Sequence, residues 1–140
     1  MRPADRRTFS FPKSARLLRR GEFVAVKQRG RGFADGPLAA SWMPRPAGAE
    51  GGRAGTTRPG IAGSTARVGI AVSSKVGDAV VRNRVKRRLR EAIRHELHEL
   101  PGVDLVLVAR ASATRATVGD LRAWVRRAGL RIAADRERRP

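Results

Sequence analysis

The stretch VVRNRVKRRLREAIRHELHEL, residues 80–100, decides how this chain is read. Six of the nine residues from Arg82 to Arg90 are Lys or Arg, and none is acidic. Apolar residues still recur every three to four positions. At about 100° per residue, Val81, Val85, Leu89, Ala92, Ile93 and Leu97 fall on one side of a helix. Lys86, Arg87, Arg90 and Arg94 fall broadly opposite. The pattern predicts an amphipathic helix over 78–99, capped by Asp78 and stopped by Pro101-Gly102. A solvated charged face normally mixes signs, with Glu and Lys paired four residues apart. Here like charges stand at that spacing, Arg82 with Lys86 and Lys86 with Arg90. Each such pair costs a few tenths of a kcal/mol in an isolated helix. The cations also crowd the N-terminal half, where the helix dipole opposes them. The helix is therefore frustrated by itself, and a polyanion relieves it. Arginine adds a planar fork matched to phosphate.

Strands flank this helix. RVGIAVS, 67–73, alternates Val68, Ile70 and Val72 in the manner of a strand. VDLVLVAR, 103–110, is a nearly continuous apolar run, as a strand covered on both faces requires. Upstream, RRGEFVAVKQ, 19–28, predicts a short helix with Phe23, Val26 and Lys27 on one face, ended by the RGRG of 29–32. PLAASWM, 37–43, reads as a further strand. Downstream, Val118, Leu121, Val125, Ala128 and Ile132 predict a last helix over 118–134 with Thr117 as its cap. One α+β domain over 14–134 follows, a small sheet with helices packed on it. Residues 1–13 read as a basic tail and 135–140 as a charged tail. Residues 46–66, with eight Gly or Pro among 21, read as a surface insertion too poor in apolar groups to offset its ordering entropy.

The chain has 140 residues, 31 Lys or Arg and 12 Asp or Glu, a formal charge of +19. That much self-repulsion opposes a compact state. Nucleic acid is the first candidate for the partner that offsets it, and an anionic membrane surface the second. The second suffers because the face opposite the charges must serve the core. With no cysteine, disulfides and thiolate zinc sites are excluded. No apolar run approaches the roughly 20 residues of a membrane-spanning helix, and the basic N-terminus lacks the apolar region of a secretory signal. A cytoplasmic protein is expected.

Partial catalytic motifs fail on spacing. HELH, 95–98, places two histidines three apart, where a metalloprotease helix needs four. GRGFADG, 30–36, is one residue too long for a dinucleotide fingerprint and follows no strand. GIAGST, 60–65, lacks the phosphate-loop lysine. No serine sits in a nucleophile elbow. No protein-borne catalytic residue or metal site is expected.

Residues 67–94, RVGIAVSSKVGDAVVRNRVKRRLREAIR, resemble the signature of the bacterial ribonuclease P protein component, with its R-N-R at Arg82, Asn83 and Arg84. FPKSARLLRRGEFVAVKQRGR, 11–31, resembles the family's N-terminal segment and first helix. GVDLVLVAR, 102–110, resembles the strand after its basic helix. The resemblance implies an α/β sandwich of order α-β-β-β-α-β-α, with a left-handed β-α-β crossover through the basic helix. It implies a protein that joins a catalytic RNA to cleave precursor tRNA at the mature 5′ end. The Mg²⁺ ions are held mainly by that RNA, and no protein partner is required. By the same resemblance Lys75, Arg82, Asn83, Arg84, Lys86, Arg87, Arg90 and Arg94 contact the catalytic RNA. Phe23 and Lys27 line a cleft for the 5′ leader, with Ser41 where some relatives carry a tyrosine and Val103 where relatives carry an aromatic residue. The chain has no tyrosine, so stacking would fall to Phe11, Phe33 or Trp42. Arg88 occupies a position often apolar in relatives. The competing expectation, from charge alone, is a general structured-RNA-binding or ribosome-associated protein with no role in cleavage.

Overall fold

The strand 103–109 is where the layers meet. The structure, a computed structural model, describes residues 11–12, 15–44 and 66–138. Its elements are α1 (Arg20–Arg29), β1 (Arg31–Asp35), β2 (Leu38–Pro44), β3 (Arg67–Ala71), α2 (Ala79–Glu96), β4 (Val103–Ala109) and α3 (Val118–Arg138). Short 3-10 turns at Leu97–Glu99 and Ala111–Arg115 flank β4. The order is the α-β-β-β-α-β-α that the resemblance implies. The sheet runs β1-β2-β4-β3, with β3 and β4 parallel and the other pairs antiparallel. Helix α2 makes the crossover between the parallel pair.

Six of the seven β4 residues are buried, because helices cover both its faces. Val103, Leu105, Leu107 and Ala109 point to the side of α2 and α3. There they join Leu38, Ala40, Trp42 and Val68 from the sheet, Val85, Leu89 and Ile93 from α2, and Leu121, Val125 and Ile132 from α3. Val106 points the other way, to Leu17 and Val26, with Phe23, Met43 and Val108 packed alongside. The sheet thus has a fully closed face and a partly closed one.

The expected helices form where the periodicity puts them, and both caps are made. The Asp78 carboxylate accepts the Val81 N–H at 3.0 Å. Thr117 and Asp120 cap each other reciprocally, each backbone N–H bonding the other's side chain at 3.0 Å.

Several boundaries move. Beyond the expected helix stop, residues 31–35 form an edge strand that the residue pattern alone did not single out. Its Gly and Arg residues hide it, because only Phe33 among its apolar side chains packs on the core. A two-residue turn joins it to β2, and Gly36 supplies the positive φ of 59° that this turn needs. Helix α3 does not end at 134 but continues to Arg138, and Asp135 in the expected tail bonds Arg31 of β1 at 3.0 Å. Phe11, assigned to the N-terminal tail, is buried in the main core, and so is Ala66, assigned to the insertion. The rest of both segments, apart from Pro12, lies outside the described residues.

Candidate functional site

Helix α2 is held by one side and offers the other. Val85, Leu89, Ala92 and Ile93 are completely buried or nearly so, which fixes the rotation of the helix. The opposite arc carries Asn83, Arg84, Arg87 and Arg90, all exposed, with Arg82 and Lys86 half-buried at its edge. Lys75 is exposed in the turn just before the helix. None of Arg82, Arg84, Lys86, Arg87 and Arg90 bonds a carboxylate among the described residues. The Nε of Arg82 is buried there without a hydrogen-bond partner. This is an uncompensated cationic surface on a rigid support.

Two cations on this helix behave differently. Arg88 donates to the backbone carbonyls of Thr114 and Ala116 at 3.1 and 3.4 Å. It ties α2 to the turn before α3, a structural task that explains a cation at a site often apolar in relatives. Arg94, expected to contact RNA, bonds Glu91 through its Nε at 3.2 Å and again through Nη2. Hydrogen bonds from Arg94, and more weakly from His95, hold the Glu91 carboxyl below the usual range against a push from burial. The charge of Arg94 is therefore partly spent within the helix.

The two histidines that suggested a metal helix go elsewhere. His95 Nε2 lies 3.1 Å from Glu91 and His98 lies beside Glu99. Glu96 is buried and bonds Arg122 at 3.0 Å and Arg126 at 3.0 and 3.2 Å. Burial pushes its carboxyl up, but the two arginines outweigh it and the pKa is lowered. Glu96 thus staples α2 to α3, and Glu91 is taken up within α2.

The second surface lies across the sheet, under α1. Beside the row of Met43, Asp104 and Arg67, two further rows of side chains cross this face. Register pairs Gly32 with Ser41, Ser41 with Val106, and Val106 with Gly69. The next row is Ala34, Ala39, Val108 and Ala71. Every member is Gly, Ala, Ser or Val, so the floor is low. Helix α1 covers only part of it, which leaves a trough with Ala34, Ala39, Ala71 and Val108 open or half-open. Phe23 of α1 stands at its wall, half-buried, and Lys27, one turn on, is exposed. The Phe23 ring rests on the backbone of Gly69, where a Cβ would come within 2.6 Å of its Cζ.

A tie that no sequence motif announced holds α1 in place. Arg67 bonds both oxygens of Asp104, at 2.9 and 2.7 Å, and donates to Glu22 of α1 at 2.9 Å. The other Glu22 oxygen accepts the backbone N–H groups of Leu18 and Arg19. Burial pushes Glu22 up, yet these bonds and the Arg67 charge leave it lowered. Asp104 raises the Arg67 pKa in turn. A lone glycine in a strand run, Gly69, was the one available sign of a close approach.

Other expected cleft residues lie elsewhere. Phe11 is in the main core, with the Arg16 guanidinium 4.9 Å above its ring, so it has no face to offer a nucleotide. Phe33 is on the α3 side of the sheet, stacked on Trp124 at 5.9 Å and covered by Arg131 at 4.2 Å. Alternation along β1 puts it opposite to the trough. Trp42 and Val103 are buried on that same side. Of the expected cleft residues, Phe23 and Ser41 lie at the trough, and Lys27 is exposed one turn along α1 from Phe23.

The fold and the two surfaces define a class: a small α/β sandwich with an arginine-rich crossover helix outside and an open sheet trough behind. The chain belongs to the ribonuclease P protein family, whose model, described as Ribonuclease P, matches residues 11–133. It is 43% identical over 118 residues to the ribonuclease P protein component of Xanthomonas campestris pv. campestris (strain B100), covering 83% of this chain and 68% of that protein. It is 41% identical over 126 residues to the component from Gluconacetobacter diazotrophicus, covering 85% and 95%. Solved structures share the fold. The RNase P protein of Staphylococcus aureus superposes with a TM-score of 0.64 at 23% identity, covering 86% of this chain and 96% of that one. That of Thermotoga maritima gives 0.63 at 23% identity, covering 83% and 96%.

Proposed function

We propose that this chain is the protein subunit of ribonuclease P and works by holding RNA. One observation carries the proposal: an acid-free arginine arc, Arg82 to Arg90, is clamped outward by a helix whose other face is locked in the core. Arg84, Arg87 and Arg90, with Asn83, Lys86 and Lys75, bind phosphates of the catalytic RNA. Arg94 adds to them where the RNA competes with Glu91. The trough between α1 and the sheet receives the 5′ leader of precursor tRNA. Phe23 offers a ring edge and Lys27 a charge to the leader backbone, and the low floor admits a base without selecting it by stacking. The cleavage is hydrolysis of one phosphodiester bond, supported by Mg²⁺. Glu22, Asp104, Glu91 and Glu96 each bond an arginine, and among the described residues no three His, Asp or Glu gather as a metal site. In this reading the ion is held mainly by the RNA. No described helix is long and apolar enough to cross a membrane, and the cytoplasm is the compartment this reading needs.

Reconstitution tests the proposal. Precursor tRNA is incubated with bacterial ribonuclease P RNA at low millimolar Mg²⁺, with and without the protein. Cleavage at the mature 5′ end only when both are present is expected. Unchanged cleavage, with RNA binding intact, would reduce the chain to a general RNA-binding protein.

A further inference from the structure

Helix α3 repeats, on a different flank, the feature that marks α2. From Leu121 to Ala134 it carries four arginines and no acid. Arg122 and Arg126 turn toward α2 and are taken up by Glu96. Arg127 and Arg131 do not. At about 100° per residue they fall on one line with Arg138, on the flank toward β1 and away from α2. All three are exposed. Arg127 makes no bond among the described residues, and Arg131 rests on the Phe33 ring, which holds its guanidinium outward. Leu130 beside them is 69% exposed, so nothing among the described residues covers this ridge. Of the nearby acids, Asp120 is engaged in the helix cap and Asp135 with Arg31; Asp35, at the end of β1, is exposed and meets α3 through its backbone carbonyl, which accepts the Trp124 Nε1–H at 2.7 Å. Glu137 lies about 100° round the helix. Two like charges at i, i+4 without a counter-charge oppose the helix, and the same argument that requires a polyanion on α2 applies here.

We infer that the ridge of Arg127 and Arg131, extended by Arg138, is a second phosphate-binding surface, and that it takes a duplex segment of the same RNA that α2 binds. The inference rests on the reading of the chain as a ribonuclease P subunit. The RNA backbone fits because the ridge is purely cationic and convex, and offers no pocket for a base. The protein then sits between two segments of one RNA, gripped by the two flanks of its helical layer.

The test is the salt dependence of affinity for ribonuclease P RNA, with no substrate present, for wild type, R127Q, R127Q/R131Q and a control, R20Q/R29Q. The control removes the same charge from α1, across the sheet. At roughly 0.9 in log–log slope per phosphate contact, losing two contacts makes the double variant about ten-fold less salt-sensitive than wild type between 50 and 200 mM. R127Q alone gives about half of that slope change. Because Arg127 touches nothing described, its loss cannot be put down to unfolding, and thermal melting of all variants checks this. A control that falls as far as the double variant, or a double variant with the wild-type slope, overturns the inference. If wild type itself neither binds nor activates the RNA, the parent reading fails instead.

Discussion

The two faces of the sheet are built on opposite terms. On the α2–α3 side, large side chains from the sheet and both helices close a core, and the charge is pushed to the outer surface of that layer. On the α1 side, small residues floor a trough that one short helix half-covers, and the charge is spent inside, in the Arg67–Asp104–Glu22 tie. In the proposed reading the closed face makes a rigid platform for phosphate. The open face keeps room for a chain to lie in. The difference follows from the register: Leu38, Trp42, Leu105 and Leu107 point toward α2 and α3, whereas Ala39, Ser41, Val106 and Val108 point toward α1.

Breaking the platform's charge without touching its core has the largest expected effect. Replacing Arg84, Arg87 and Arg90 together by Gln removes about three phosphate contacts. Filter binding to ribonuclease P RNA should show a salt slope smaller by roughly 2.7, with the thermal midpoint unchanged because all three are exposed. Next comes the tie on the open face. Arg67→Met removes both arginine bonds to the buried Asp104 carboxylate and frees the start of α1. Urea unfolding should show a loss of about 3 kcal/mol, whereas RNA affinity through α2 should hold.

Gly69→Ala sharpens the contrast more gently. The new methyl meets the Phe23 ring from below, so the ring must shift. Affinity for a long-leader substrate should fall by a few-fold while assembly with the RNA stays near wild type, as measured by substrate and RNA titrations separately. The smallest effect is one of pH. Glu22, Glu91 and Glu96 all have lowered pKa values in the folded protein. Their contribution is therefore complete above the unfolded carboxylate value of about 4.3 and is lost as pH falls through the folded values. Melting temperatures taken from pH 6 downward should drop below that point, and Glu96→Gln should flatten part of the drop.

Much of the platform was legible in the residues. The 3.6-residue spacing of Val85, Leu89 and Ile93 against Arg87 and Arg90 fixes which side faces out, and Asp78 and Thr117 mark helix starts by chemistry that is local. The trough was legible only in part. Phe23, Lys27 and Ser41 were named by resemblance, but the same resemblance could not say which face of β1 carries Phe33. A one-residue register choice decides that, and Gly-rich β1 shows no alternation from which to make it. Phe11 looked like tail because it stands apart from any periodic run, yet a single buried ring anchors it. The Arg67 tie joins residues 45 and 37 positions apart, and no local pattern announces such a pair in a chain so rich in arginine.

The division of labour between the two faces is the central claim, and a leader-length series tests it most directly. Reconstituted holoenzyme is assayed for binding of precursor tRNAs with leaders from one nucleotide upward, using wild type, Phe23→Ala and the Arg84/Arg87/Arg90 Gln triple variant. The account predicts that Phe23→Ala assembles normally and loses affinity only for the longer leaders. It predicts that the triple variant needs more protein to assemble, by the same factor at every leader length. A Phe23→Ala defect that ignores leader length, or a triple-variant defect that tracks it, would contradict the account.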